Sequence, residues 1–219
     1  MNCPLQILCV FMGIKIKICG ITRAEDALYA EELGASAVGF IFYPPSPRSI
    51  TPADAGVLSK ALGPFIARVG VFVDESPEIV NDTIISAGLT AVQLHGAESP
   101  EYIRKIRGAK VIKAFRVGTD FDPEELGRYS VTAFLLDTFD KSGYGGTGKT
   151  FDWNRAVPCK RYGKIILAGG LDGDNITSAV REVKPWGVDI SSGVERKPGE
   201  KDHGKMKQFF DAIKRECDE

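Results

Sequence analysis

Lys164-Ile-Ile-Leu-Ala-Gly-Gly-Leu171 and Gly187-Val-Asp-Ile-Ser-Ser-Gly-Val-Glu195 are two short apolar runs that each end in a glycine-containing turn. An apolar run of this length, bounded by turn signals, suits a strand buried on both faces of a parallel sheet. The turns matter as much as the runs. Many α/β barrels bind phosphate with backbone N–H groups in the loops after their seventh and eighth strands. If these two runs are those strands, six more must precede them.

Six do. Ile14–Cys19, Ala37–Phe42, Ala67–Val73, Ala91–Leu94, Lys110–Phe115 and Ala133–Asp137 read as strands, followed by Lys164–Ala168 and Gly187–Ile190. Helical segments lie between them: Arg23–Leu33 behind Thr22 as N-cap, Pro52–Leu62 behind Thr51, Pro77–Ala87 behind Ser76 and Pro100–Arg107 behind Ser99. Pro123–Gly127, a short turn near Asp152–Val157, Asn175–Val183 and His203–Arg215 complete the set. Proline at the first helical position is a sound start signal, because the N–H it lacks would be unsatisfied there. Glycines 34, 63, 88 and 108 are expected to stop the helices they follow. Eight βα units fit either an open doubly wound sheet or a closed barrel. A single (β/α)8 TIM barrel is the favoured reading, with residues 13–219 as one domain and 1–12 as an N-terminal extension.

The bulk properties agree. A chain of 219 residues is the size of one barrel. A net charge of −1 without a basic cluster argues against a nucleic-acid partner. The apolar start is far shorter than the roughly 20 residues of a membrane span, and it lacks a basic leader. No membrane partner is therefore expected. Cys3, Cys9, Cys19, Cys159 and Cys217 show no paired spacing, and with two histidines they make a poor metal site. A reduced, cytoplasmic protein without a metal or other cofactor is expected; its oligomeric state is not readable.

In a barrel, reacting groups sit at the C-terminal strand ends. Cys19 closes the first strand there and Asp137 the sixth; across a narrow mouth they form a titratable pair of two types, as acid–base catalysis requires. Alone, the thiol would be core filler and the aspartate a loop cap. Arg48, in the proline-stiffened loop Tyr43-Pro-Pro-Ser-Pro-Arg48, suits a substrate carboxylate. His95, after the fourth strand, is a candidate base or orienting donor, and Asp189 on the eighth strand a candidate substrate contact. Gly143-Tyr-Gly-Gly-Thr-Gly-Lys-Thr150 satisfies the nucleotide P-loop pattern. Its context fails, since it does not join a strand directly to a long helix; it reads as a loop over the mouth.

Together, Lys17-Ile-Cys-Gly-Ile-Thr22, Gly39-Phe-Ile-Phe-Tyr-Pro44, Arg68-Val-Gly-Val-Phe-Val73, Val92-Gln-Leu-His-Gly96, Leu135-Leu-Asp-Thr138, Gly145-Gly-Thr-Gly-Lys-Thr-Phe-Asp-Trp153, Ala168-Gly-Gly-Leu171 and Val188-Asp-Ile-Ser-Ser-Gly-Val-Glu195 resemble the phosphoribosylanthranilate isomerase family. The resemblance runs from about Ile14 to the last helix. It implies an Amadori rearrangement in tryptophan, and so aromatic amino acid, biosynthesis, with Cys19 as general base, Asp137 as general acid and Arg48 on the anthranilate carboxylate. It places the phosphate of the substrate on Gly169, Gly170, Ser191, Ser192 and Gly193. The competing expectations are another phosphosugar barrel enzyme or a non-catalytic phospholigand-binding barrel.

Overall fold

Alternating short apolar runs and helix-length segments can bury both faces of a sheet only by wrapping the helices around it. In the computed structural model, which describes residues 13–138, 150 and 152–215, the sheet closes. The strands are β1 (Lys15–Cys19), β2 (Ala37–Ile41), β3 (Ala67–Phe72), β4 (Ala91–Leu94), β5 (Lys110–Val117), β6 (Ala133–Thr138), β7 (Ile165–Leu167) and β8 (Gly187–Ile190). They pair in sequence order, all parallel. β8 returns to β1 with Lys17 opposite Asp189. The fold is a (β/α)8 barrel.

Side chains alternate along each strand between the barrel interior and the helical layer. Val69, Ala91, Ile112, Leu135 and Ile166 form an interior cluster. A larger cluster, including Phe40, Phe134, Phe209 and Phe210, fills the layer beneath the helices. Each such side chain, fully buried, contributes roughly 1.5–3 kcal/mol. The strands are less uniformly apolar than a doubly buried sheet suggests, because Lys17, Gln93 and Asp189 occupy interior positions and are buried. These exceptions build the site.

The helices are α1 (Ala24–Leu33), α2 (Pro52–Ala61), α3 (Pro77–Ser86), α4 (Pro100–Ile103), α5 (Ile176–Val183) and α6 (His203–Arg215). Thr51, Ser76 and Ser99 cap α2, α3 and α4 as expected, each accepting from the backbone N–H three residues on. Thr22 does not cap α1. The N-cap is Arg23, and the Thr22 hydroxyl donates instead to the Gly199 carbonyl. That carbonyl belongs to a hairpin of β9 (Glu195–Lys197) and β10 (Glu200–Lys201), which no local pattern announced. Gly63 does not end α2 in a left-handed turn either; the cap is Leu62 in extended backbone. α4 is a single turn, shorter than the expected segment to Arg107. Trp153–Tyr162 is a 3-10 helix that outruns the expected short turn and contains Pro158, whose missing N–H precludes a continuous α-helical ladder.

No helix among the described residues is long and apolar enough to cross a membrane. The extension 1–12, the glycine-rich segment 143–149 and Cys217 lie outside the described residues.

Candidate active site

β1 reads Lys15-Ile-Lys17-Ile-Cys19, so strand alternation puts Lys17 and Cys19 on the interior face, with the thiol nearer the C-terminal mouth. The same alternation on β6 brings Asp137 to the mouth above Leu135. Cys19 and Asp137 line one cavity there with Arg48, His95, Asp189, the Gly169-Gly170 turn, Ser191 and Ser192. Nine of the ten candidate site residues therefore converge; the tenth, Gly193, follows directly in the eighth loop.

Glycine is required in both of those loops. Gly169 has a φ of +84°, and a Cβ there would collide with the Thr138 hydroxyl. A Cβ on Gly193 would strike the Leu171 carbonyl oxygen, so the seventh and eighth loops approach through bare backbone. The Asn175 side chain ties the first of them down, donating to Gly170 O at 2.7 Å and accepting from Asp172 N at 3.0 Å. α5 begins only at Ile176, six residues past Gly170. The turn itself, and the 3-10 turn Ser192–Val194, face the mouth.

Arg48 reaches inward from its proline-stiffened loop. It is buried, and its Nε and Nη2 donate to both carboxylate oxygens of Glu195 at 2.7–3.1 Å. Glu195 also accepts from Lys201 Nζ at 2.9 Å. Burial works against the Glu195 charge, but Arg48 and Lys201 outweigh it and hold the carboxyl below its usual 4.5.

Lys17 is the central cation. Its Nζ donates to Asp189 Oδ2 at 2.9 Å and to Gln93 Oε1 at 2.9 Å, and its charge is coupled to the Cys19 thiol on the same strand face. Burial disfavours its charge, yet Asp189 and Cys19 raise its pKa above the ordinary 10.5. Burial pushes the Cys19 thiol up from 9.0, with Asp189 adding to the rise, while Lys17 and Lys201 pull the other way. The Gln93 amide continues to His95 Nδ1 at 3.0 Å, and His95 Nε2 lies 3.4 Å from Asp137 Oδ2. Asp137 Oδ1 accepts from Thr138 N at 2.8 Å. His95 Nε2, Asp189 Oδ1 and Ser191 Oγ are buried at the mouth without a hydrogen-bond partner among the described residues. Buried polar atoms in that state point to a ligand.

Sequence reasoning missed Lys17, Gln93, Glu195 and Lys201. A signal existed for the first: a lysine two residues before Cys19 on a strand shares its face. Among the described residues no group of three metal-ligating side chains occurs.

A closed parallel barrel whose ionisable side chains and glycine turns converge at the C-terminal mouth is a TIM-barrel enzyme in architecture. Residues 16–212 match the family model described as N-(5'phosphoribosyl)anthranilate (PRA) isomerase. The N-(5'-phosphoribosyl)anthranilate isomerase of Pelobacter propionicus is 48% identical over 90% of this chain and 94% of its own. Among solved structures, the phosphoribosyl anthranilate isomerase of Thermus thermophilus superposes with a TM-score of 0.86 at 41% identity, covering 92% of this chain and 99% of that one. A further isomerase structure, in complex with reduced 1-(o-carboxyphenylamino)-1-deoxyribulose 5-phosphate, gives 0.82 at 45% identity over 92% and 98%. The chain belongs to the phosphoribosylanthranilate isomerase family.

Proposed function

We propose that the chain isomerises N-(5'-phosphoribosyl)anthranilate to 1-(2-carboxyphenylamino)-1-deoxyribulose 5-phosphate, a step of tryptophan biosynthesis in the cytoplasm. Family membership supports the reaction. The observation that carries the assignment of residues is that a thiol and a carboxyl, on β1 and β6, share one cavity with the two glycine-bearing loops.

In this reading the substrate phosphate lies against Gly169, Gly170, Ser191, Ser192 and Gly193, and Arg48 faces the anthranilate carboxylate while Glu195 holds it in place. Asp189 Oδ1 and the Ser191 hydroxyl offer partners to sugar or phosphate oxygens. Asp137, protonated, gives its proton to the furanose ring oxygen as the C1–O bond breaks and the nitrogen lone pair forms the C=N bond of a Schiff base. Cys19, as thiolate, takes the C2 proton; the C–H electron pair forms the C1=C2 bond and neutralises the iminium nitrogen. Tautomerisation moves a proton from O2 to C1 and yields the ketose. Atoms and charge balance with side chains as the proton carriers, so the scheme requires no cofactor.

Turnover of phosphoribosylanthranilate by the purified protein in chelator-treated buffer, followed through the anthranilate fluorescence, tests the reading. Conversion is expected. Failure to convert, or activity that disappears with chelator and returns with a divalent ion, overturns it.

A further inference from the structure

The chain of contacts from Asp189 through Lys17, Gln93 and His95 to Asp137 has a polarity that chemistry fixes at one end. An ammonium group has donors and no acceptor, so the Gln93 atom facing Lys17 must be the amide oxygen. The other end of the amide is then its NH2, and it must donate. The atom it meets is His95 Nδ1, at 3.0 Å. A ring nitrogen that accepts a hydrogen bond carries a lone pair, which leaves the imidazole proton on Nε2. Nε2 is the atom 3.4 Å from Asp137 Oδ2, close but not hydrogen-bonded to it, and it has no hydrogen-bond partner among the described residues.

We propose that Lys17 and Gln93 are positioning residues for the acid–base pair: Lys17 orients the Gln93 amide, the amide fixes His95 with its proton on Nε2, and that proton is held ready for the Asp137 carboxylate. This rests on the assignment of Asp137 as the acid. A contact of 3.4 Å stabilises a neutral carboxylic acid little. As Asp137 releases its proton, negative charge builds on the carboxyl and the contact becomes a charge-assisted hydrogen bond, so its benefit is largest where charge develops. The same Lys17 ammonium faces Cys19 on its own strand, Gln93 on β4 and Asp189 on β8. One buried cation thus serves both halves of the pair: Cys19 directly by charge, Asp137 through two intervening side chains. Asp189, which fixes Lys17, completes the network.

The chain has two histidines, so 15N-histidine labelling gives two rings, and the spectrum of a His203→Asn variant identifies His203. In the wild-type protein at neutral pH, His95 is expected to show an unprotonated Nδ1 and a protonated Nε2. Gln93→Glu keeps the size but offers acceptors on both sides, so the proton should move to Nδ1. Its kcat should fall about 10-fold or more, the consequence of a catalytic imidazole held in the wrong tautomer, while KM changes less than about threefold. Lys17→Met should also free the amide and mix the tautomers. A wild-type His95 carrying its proton on Nδ1 overturns the proposal without any active-site variant having to fold. So does a Gln93→Glu protein with the moved proton and native kcat. The first outcome is read from the spectrum alone and needs no substrate, whereas failure of wild-type turnover speaks only against the function.

Discussion

Arg48 and Glu195 meet side-on, with the Nε and Nη2 of the guanidinium on both oxygens of one carboxylate, and Lys201 closes the arrangement from the other side at 2.9 Å. An arginine so held has little freedom left to lose on binding, and its remaining donors are preorganised. Arg48→Ala should raise KM by roughly 10- to 150-fold, the equivalent of about 1.5–3 kcal/mol for a charged hydrogen bond, with a smaller change in kcat. Steady-state kinetics check this. An unchanged KM would remove Arg48 from the substrate's carboxylate.

Glu195→Ala leaves two buried cations without their shared counterion, and stability should fall by about 3–5 kcal/mol. The pH dependence has a definite sign. Arg48 and Lys201 hold the Glu195 carboxyl below 4.5 in the folded chain, so its contribution is complete above that value and is lost as pH falls through the folded pKa. Denaturant titrations from neutral to acid pH should show a stability loss in the wild type that is absent in Glu195→Gln. Parallel curves would mean that this pair adds nothing to folding.

The acid and the base can be tested one at a time. Cys19→Ala and Asp137→Asn should each lower kcat by about 10²–10⁴-fold, the usual contribution of a positioned acid or base. Neither residue belongs to the apolar clusters that fill the barrel and its helical layer, so circular dichroism and thermal unfolding should remain close to wild type. Near-native kcat in a folded variant would assign the chemistry elsewhere.

The place of these two residues at the mouth was legible because each lies at the end of an apolar run on the face where barrels react. His95 and the glycine turns were found the same way, by place. Lys17 and Gln93 were not, because a polar residue in mid-strand looks like a solvent-facing position until closure of the sheet turns it inward. The partners of Lys17 lie 76 and 172 residues away in sequence, the first across the closed barrel on β4 and the second on β8 where it returns to β1. Glu195 was visible as a letter in its motif, but its meaning depends on a hairpin too short to leave a periodic signal. Thr22 was misread for the same reason, since that hairpin takes its hydroxyl.

The pH profile of kcat/KM follows from the protons on the pair. The reactive form, carboxylic acid with thiolate, carries one proton, as does its isomer, carboxylate with thiol. Activity is therefore level while the pair holds a single proton and declines when the last one leaves. Burial, then Asp189, set that last step by raising the thiol from 9.0. The alkaline decline should begin above about 9. A fall starting near neutral pH would contradict a buried thiol as the partner of Asp137.

Inorganic phosphate or sulfate should inhibit competitively with substrate through the seventh and eighth loops. Gly193→Ala sharpens the test. Its Cβ has no room beside the Leu171 carbonyl, so the loops must part, and both inhibition by phosphate and apparent substrate affinity should weaken together. Noncompetitive inhibition that survives this substitution would place the anion elsewhere.

Gly39 faces Cys19 across the β1–β2 ladder, and a Cβ there would come within 2.9 Å of the Cys19 sulfur and 3.0 Å of Lys17 Cε. It has no side chain to react, and its mid-strand location is one where alanine or valine would ordinarily be tolerated or preferred. Yet the smallest possible side chain displaces the thiol or the lysine beside it. In a saturation-mutagenesis survey scored by growth without tryptophan, position 39 should therefore be as intolerant as position 19. Such a survey would count Gly39 among the reacting groups, although what the enzyme uses there is the absence of a side chain.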